Sequence, residues 1–166
     1  MTNVTDTTDV TESSVIHDTF VLERTYPVPV SRVFAAFAAK EAKEAWADTG
    51  DLSPAAPDDR ATEFDFRIGG RERFGFSYQG TSFRYDATYY DIVPGQRIIY
   101  SYEMYHDGVR FSVSVATIEF AATAGGTALT WTEQGAYLDG FDGAEAPRLR
   151  EGGTAEMLDG LAKYLA

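Results

Sequence analysis

A glutamate near the end of the chain has the surroundings that acid–base chemistry requires. In the strand predicted over residues 127–134, Leu129, Trp131 and Glu133 share one face, because side chains alternate between the two faces of a strand. If the two apolar residues face the interior, Glu133 does too, and a carboxyl group in an apolar cavity has a raised pKa that suits an acid or a base. The alternative is that Glu133 lies at the strand end, where it reaches solvent or pairs with a base. Glu133 is the candidate catalytic residue, and both interpretations stay open.

Aromatic side chains recur at every second position of the strands predicted before this one. Such walls suit a flat apolar ligand, and phenol hydroxyls supply a few orienting hydrogen bonds. Ser112, Ser114 and Ala116 are small and share a face, which leaves space there. For any single aromatic residue the alternative is ordinary core packing. The predicted ligand-binding set is Trp46, Phe66, Phe74, Phe76, Tyr85, Tyr100, Tyr102, Trp131, Glu133, Met157 and Leu161.

The sequence gives little support for a metal site or a nucleophilic catalytic residue. The chain has no cysteine, which excludes disulfides, thiolate zinc sites and cysteine nucleophiles. Its histidines are His17, in a predicted tail, and His106, at a predicted turn, and their separation argues against a zinc or iron site. His106 as a catalytic base is an alternative to a solvated turn residue. The acidic loop at 139–142 lacks the ligand spacing of a calcium loop and is interpreted as solvated, or as a lid over the cavity mouth. We expect neither a metal nor a cofactor.

The elements that position these residues fit one domain. The chain has 166 residues, 44% of them hydrophobic and 24% charged, as in ordinary globular domains. Residues 1–17 are rich in Thr, Asp and Ser and predict a flexible tail, which leaves 18–166 as the domain. A net charge of −12 makes nucleic acid and anionic membranes poor partners. No signal peptide or membrane span is visible, so we expect a cytoplasmic protein.

The pattern along the chain predicts an antiparallel meander after two short helices. A strand over 19–26 precedes the helices, which end near Trp46. The glycine pair at 69–70 predicts a hairpin between strands over 64–68 and 74–78. Further strands are predicted over 82–93, 96–105, 109–122 and 127–134.

A long helix is predicted to close the chain over residues 144–165. Gly152 and Gly153 lie within it, and glycine is a poor helix former. The pair indicates close backbone approach, space beneath the helix, a local kink, or a helix that starts near Thr154. The apolar stripe of this helix contains Leu149, Met157, Leu158, Leu161, Tyr164 and Leu165.

Short segments of the sequence, and the order in which they occur, resemble the SRPBCC (START-like, helix-grip) superfamily. Those that carry the resemblance are VLERTYPVP at 21–29 with VFAAF at 33–37, Trp46, DFRIGGR at 65–71, IVP at 92–94 with RIIY at 97–100, GTALTWTEQG at 126–135, and EGG at 151–153 in the closing helix. Within the superfamily the sequence is most similar to the family of the C-terminal domain of the Aha-type activator of the heat-shock protein 90 ATPase. The resemblance covers residues 19–166. In one departure, Ala47 follows Trp46 where many relatives have a second tryptophan.

The resemblance implies an α+β helix-grip fold, in which a curved antiparallel sheet of about seven strands packs on a long C-terminal helix, with two short helices after the first strand. The resemblance also implies a deep cavity, which members of the superfamily use to hold lipids, polyketides or other apolar molecules. The implied function is the binding of a small hydrophobic or aromatic ligand, lipid- or polyketide-like, between sheet and helix.

Two further functions stay open because a fold does not determine a function. The first is a polyketide cyclase- or dehydratase-like enzyme that uses Glu133 and a tyrosine for proton transfer. The second is an interaction domain that contacts a chaperone, as the eukaryotic relatives do. The expected partners are a small apolar ligand and a chaperone or a second copy of the chain. Nucleic acid and membranes are not expected.

Overall fold

One antiparallel sheet of seven strands and three α-helices make up the part of the chain, residues 12–166, that the computed structural model describes. The elements are β1 (Val15–Tyr26), α1 (Val30–Ala38), α2 (Lys40–Ala47), β2 (Glu63–Phe64), β3 (Arg71–Tyr78), β4 (Thr81–Val93), β5 (Arg97–His106), β6 (Val109–Thr123), β7 (Gly126–Leu138) and α3 (Ala146–Leu165). The order in the sheet is β1-β7-β6-β5-β4-β3-β2, so β2 to β7 follow the chain and β1 lies at the edge beside β7. The predicted meander and the α+β helix-grip architecture are confirmed.

The first hairpin differs from the prediction. β2 has only two residues, whereas the alternation predicts a strand over 64–68. Residues 65–70 instead form a turn, in which the Gly69 N–H donates to the Tyr89 carbonyl at 2.8 Å and the Gly70 carbonyl accepts from the Tyr89 N–H at 3.0 Å. Within the turn the Arg67 N–H donates to the Asp65 carbonyl at 3.0 Å and the Arg67 carbonyl accepts from the Gly70 N–H at 2.8 Å, so Arg67 has no backbone group left for the ladder between β2 and β3.

The first strand begins earlier than the side-chain pattern predicts. β1 starts at Val15, which lies opposite Leu138 of β7. Residues 15–17, assigned to the tail, therefore belong to the sheet, and His17 is an exposed strand residue. Backbone pairing with β7 orders this segment although its side chains bury little. Residues 1–11 of the predicted tail lie outside the described residues.

The apolar core lies between the sheet and the helices. In α1, Val33 and Phe37 are buried one helical turn apart and face the sheet. Trp46, at the end of α2, is 2% exposed, and its Nε1 donates to the carbonyl of Ala36 at 2.8 Å. The core also contains Phe20, Tyr26, Tyr89, Ile98, Ile118, Phe120, Leu129, Leu158, Leu161 and Leu165.

The closing helix is continuous, so the alternative start near Thr154 is wrong. α3 begins at Ala146 and passes through Gly152 and Gly153, where an added Cβ would meet nothing within 4 Å. Leu149, which its spacing assigns to the apolar stripe, is 72% exposed. None of the helices formed by residues 12–166 is long and apolar enough to cross a membrane.

The close backbone approach in α3 lies at Gly160. A Cβ there would stand 2.4 Å from the carbonyl oxygen of Trp46, far inside van der Waals contact. The second half of α3 therefore reaches the end of α2 only because residue 160 has no side chain. The same half is held by Tyr26, whose hydroxyl donates to the Leu158 carbonyl at 3.1 Å. Burial raises the pKa of Tyr26 to about 12, so this hydroxyl stays protonated at neutral pH.

Gly160→Ala should lower the free energy of unfolding, because the new methyl group must displace α3 from the Trp46 backbone. Overpacking of this kind costs about 1–3 kcal/mol, which should outweigh a gain of about 1 kcal/mol in helix propensity. Gly152→Ala is the matched control and should raise the unfolding free energy by up to about 1 kcal/mol, since its Cβ enters open space. Urea unfolding followed by circular dichroism measures both. Equal effects of the two substitutions would contradict a tight contact at Gly160.

Candidate ligand-binding cavity

A cavity of about 660 Å³ lies between the sheet, α2 and the first half of α3. Strands β3, β4, β5 and β7 supply one wall, and α3 contributes Leu149 and Arg150. The loop between α2 and β2 adds Leu52 and Pro54. Most of the predicted ligand-binding residues line it: Trp46, Phe74, Phe76, Tyr85, Tyr100, Tyr102, Trp131 and Met157.

Phe66 and Leu161, both predicted to bind ligand, belong to the core instead. Phe66 lies in the turn that follows β2, and its ring packs edge-on against Phe34 and Tyr89, with ring centroids 5.9 and 5.1 Å away. The turn therefore directs Phe66 toward α1. Leu161 lies in the packed half of α3 and is fully buried. Helical spacing places it in the apolar stripe but does not reveal where along α3 the cavity ends.

Glu133 lies behind the cavity wall and not in it. It is in the middle of β7 with its side chain fully buried, as the alternation with Trp131 predicts, and the strand-end alternative is wrong because β7 continues to Leu138. Its Oε1 accepts a hydrogen bond from the hydroxyl of Tyr102, which does line the cavity. Its Oε2 has no hydrogen-bond partner among residues 12–166. Tyr102 thus links Glu133 to the cavity.

Burial raises the pKa of the Glu133 carboxyl, because an ionised carboxylate loses its hydration there. The positive charge of Arg150 and the hydrogen bond from Tyr102 act in the opposite direction but are smaller influences. Burial also raises the pKa of Tyr102 well above its ordinary value, so its hydroxyl is protonated and donates to the carboxyl oxygen. The arrangement can pass a proton between Glu133 and a group in the cavity only through the Tyr102 hydroxyl.

The Arg150 side chain occupies the space that the small residues Ser112 and Ser114 leave on one face of β6. Its guanidinium donates to the Tyr102 hydroxyl at 2.8 Å, to Ser114 Oγ at 3.3 Å and to Ser112 Oγ at 2.7 Å. The guanidinium carbon lies 5.3 and 5.4 Å from the ring centroids of Tyr102 and Tyr137, within the range of a cation–π contact. The only sequence signal for Arg150 is this pair of small hydroxyl residues, which indicates space but not what fills it.

A second polar cluster lies where α2 meets β3 and β4. Lys43 Nζ donates to Glu72 Oε2 at 2.6 Å, and the Tyr89 hydroxyl donates to the same oxygen at 2.6 Å. Lys43 and Glu72 both line the cavity, and the ammonium lies 5.5 Å from the ring centroid of Tyr100. Burial, followed by the nearby negative Glu72, raises the pKa of Tyr89, so its hydroxyl stays a donor. The charged run at 40–44 resembles an exposed helix face and gives no signal for this cluster.

Two buried hydrogen-bond donors in the cavity wall have no acceptor within the described residues 12–166. They are the hydroxyl of Tyr85 and Nε1 of Trp131. Burial raises the pKa of Tyr85 well above its ordinary value, so its hydroxyl keeps its proton. An unsatisfied buried donor costs about 1–3 kcal/mol. Both atoms are inaccessible within the wall, so a molecule in the cavity does not reach them directly.

His106 and the acidic loop lie away from the cavity. His106 ends β5, and its half-buried ring stacks on Phe141 with centroids 4.0 Å apart, so it is not the solvated turn residue that its neighbours predict. Phe141 also packs against Phe111 at 4.9 Å, which fixes the loop between β7 and α3 on the sheet. The cavity lining includes none of residues 139–145, so the structure supports neither a lid there nor a catalytic base at His106.

Comparison with known proteins identifies relatives of this fold. The sequence matches the family described as Activator of Hsp90 ATPase homolog 1-like protein over residues 27–166. An uncharacterized protein from Rhizobium leguminosarum is 40% identical with a TM-score of 0.81, over 93% of this chain and 98% of that one. The Mll3558 protein from Rhizobium loti is 44% identical with a TM-score of 0.77, over 91% and 99%. An AHSA1-like protein from Aeromonas hydrophila, 19% identical over 89% and 92%, shares the fold with a TM-score of 0.63. No curated protein matches the sequence.

Glu133→Gln should remove the pH dependence of stability that this buried carboxyl causes. Because its pKa is raised in the folded state, the stability it contributes is fully present below the unfolded-state pKa of about 4.3 and is lost as the pH rises through the folded-state pKa. The wild type should therefore lose stability relative to the Gln variant as the pH rises from about 4 toward neutrality.

Urea unfolding of both proteins at several pH values between 4 and 8 measures this difference. The other carboxylates titrate in both proteins, so their contributions cancel. Glu119→Gln, at an exposed position of β6, is the control and should shift the pH profile little. A stability difference between wild type and Glu133→Gln that stays constant with pH would overturn the assignment.

Proposed function

This chain belongs to the family of proteins like Activator of Hsp90 ATPase homolog 1, in the SRPBCC superfamily, and we propose that it binds a small hydrophobic or aromatic ligand between the sheet and α3. The observation that carries the proposal is the cavity of about 660 Å³, whose wall combines aromatic rings with a few polar groups. Sites for small molecules have volumes of about 300–1,000 Å³ and this same composition.

The size and mouth of the cavity favour a ligand over a packing defect. Protein interiors contain few voids larger than a water molecule, and this cavity is many times larger. Leu149 lines it and is 72% exposed, so an apolar side chain stands where the cavity meets solvent. An apolar ligand that enters there would cover that side chain and gain hydrophobic free energy.

The ring faces in the wall favour a flat or slender molecule. Phe74 and Phe76 stack with centroids 5.9 Å apart, and Tyr102 lies 5.0 Å from Tyr85 and 5.8 Å from Tyr100. These five rings come from three adjacent strands and line the same cavity, with Phe74 opposite Tyr85 in the register of β3 and β4. A polycyclic aromatic or an extended acyl chain can contact such rings along its length.

Met157→Trp should weaken ligand binding, because a larger side chain on α3 would fill the cavity that Met157 lines. Suitable neutral probes are 2-naphthol, 1-hydroxyanthraquinone and dodecanol. A probe at about 100 times its Kd should stabilise the wild type by about 2.7 kcal/mol, which raises Tm by roughly 5–11 °C. In Met157→Trp the affinity should fall at least about tenfold, or 1.4 kcal/mol.

Tyr164→Trp is the matched control, since it introduces the same residue at a 44% exposed position of α3 outside the cavity lining. It should bind the probes as the wild type does. The proposal is wrong if the two tryptophan variants bind equally well, or if neither these neutral probes nor their carboxylate and amide counterparts bind the wild type.

One observation favours a second candidate function, proton-transfer catalysis of the polyketide cyclase type. The Tyr102 hydroxyl in the cavity wall donates to the buried Glu133, so a bound molecule could exchange a proton through Tyr102. Tyr102→Phe and Glu133→Gln should then each abolish turnover of a cyclisable substrate while binding persists, and unchanged turnover in either would exclude this relay. Contact with a chaperone, and contact between two copies of the chain, stay predictions.

A further inference from the structure

Arg150 differs from the other buried or half-buried arginines in the groups that it contacts. Arg73 and Arg84 each pair with an aspartate, with nitrogen–oxygen distances of 2.9 and 3.2 Å. Arg150 has no carboxylate oxygen within 4.0 Å among residues 12–166. A guanidinium in a cavity wall is thus left without a countercharge, although burial of a charge is costly unless it is paired.

The hydrogen bonds of Arg150 leave part of the guanidinium available. Its acceptors are the neutral hydroxyls of Tyr102, Ser112 and Ser114, which bind Nη1 and Nη2. The Nε–H group has no acceptor in the described part of the chain. Because the side chain lines the cavity, an anion there can reach it. Hydrogen bonds between a guanidinium and a carboxylate are about twice as strong as those between neutral groups.

Glu133 does not contact Arg150 directly, and the other cations of the cavity are not free to bind an anion. Glu133 lies behind Tyr102, whose hydroxyl accepts from Arg150 and donates to Glu133, so the two charged groups do not touch. The other cations of the lining are already paired: Lys43 with Glu72 at 2.6 Å, Arg73 with Asp86 at 2.9 Å and Lys40 with Glu44 at 3.9 Å. Arg150 is therefore the cation of the lining that has no carboxylate in direct contact.

We propose that the cavity takes an organic acid, a molecule with an apolar body and one carboxylate that pairs with Arg150. This inference rests on the proposed binding function and names the class of ligand. The carboxylate can accept from the Arg150 Nε–H, which has no acceptor in the described part of the chain. The apolar body lies against Phe74, Phe76 and Met157.

Matched acid and amide probes test the inference on the full chain by isothermal titration calorimetry at neutral pH. The pairs are 2-naphthoate with 2-naphthamide and decanoate with decanamide, so each pair differs only in the charged group. In at least one pair, the wild type should bind the acid at least about tenfold more tightly than the amide. Arg150→Met should lower the affinity for the acid about ten- to hundredfold and change that for the amide less than about threefold.

Arg148→Met is the matched control, because it makes the same substitution at an exposed position of the same helix. It should bind both members of each pair as the wild type does. Arg150→Lys keeps the charge and should retain part of the preference for the acid. The acid–amide comparison in the wild type needs no variant, so it stands even if Arg150→Met folds poorly.

The outcomes separate this inference from the proposed function. If the wild type binds amides or 2-naphthol as tightly as the acids, the Arg150 inference is overturned and the binding function stands. Unchanged acid affinity in a folded Arg150→Met also overturns it. If neither the acids, the amides nor the neutral probes bind, both proposals fail.

Discussion

The two halves of α3 meet different surroundings, and the cavity depends on this difference. The second half packs on the core through Leu158, Leu161 and Leu165, and the absence of a side chain at Gly160 lets it contact the Trp46 backbone. The first half has the exposed Gly152 and Gly153, with open space beside them. The second half of α3 is thus fixed to the core, while the first half covers the cavity. Close packing along all of α3 would remove the cavity, and loss of the Gly160 contact would remove its support.

Residues of the cavity wall hold Arg150 and Lys43 in place, so these long side chains do not fill the cavity. The two serines of β6 and the Tyr102 hydroxyl fix the Arg150 guanidinium, while Glu72 and the Tyr89 hydroxyl hold Lys43. Each long side chain therefore has few rotamers to lose when a ligand arrives, which lowers the entropic cost of binding. Aromatic residues contribute in the same way, because their rings pack against each other and have few rotatable bonds.

The alternation of side chains along a strand predicts which residues face the interior, but not where the strand ends. The alternation of Trp131 and Glu133 places both inside, and the structure agrees. Phe66 fits the same alternation, yet backbone hydrogen bonds within its turn, from Arg67 to Asp65 and from Gly70 to Arg67, end the strand before it. A strand pattern carries no information about backbone hydrogen bonds that close a local turn.

Helical periodicity is weaker evidence in α3, because the apolar stripe is broken by glycines and by one inward arginine. Leu149 has the spacing of the stripe and is exposed, whereas Arg150, its polar neighbour, points to β6. An arginine is ordinarily assigned to the solvent face, and here the two serines, the Tyr102 hydroxyl and the rings of Tyr102 and Tyr137 make the inward orientation favourable. Those serines lie 36 and 38 residues away in the chain, so the match becomes visible only in three dimensions.

The polar groups that the cavity leaves available favour recognition over base catalysis. Among the groups of the wall, the Arg150 guanidinium offers a donor without a partner. The acceptor Glu72 Oε2 already receives hydrogen bonds from two groups, Glu133 does not line the cavity, and the other carboxylates of the lining, Glu44, Asp48, Glu63 and Glu156, are exposed to solvent. A general base must lie within hydrogen-bond reach of the proton that it removes, or reach it through one relay. The only relay here is Tyr102, and burial makes that hydroxyl hard to ionise. The wall is thus better suited to hold the oxygen atoms of a ligand than to deprotonate its carbon atoms.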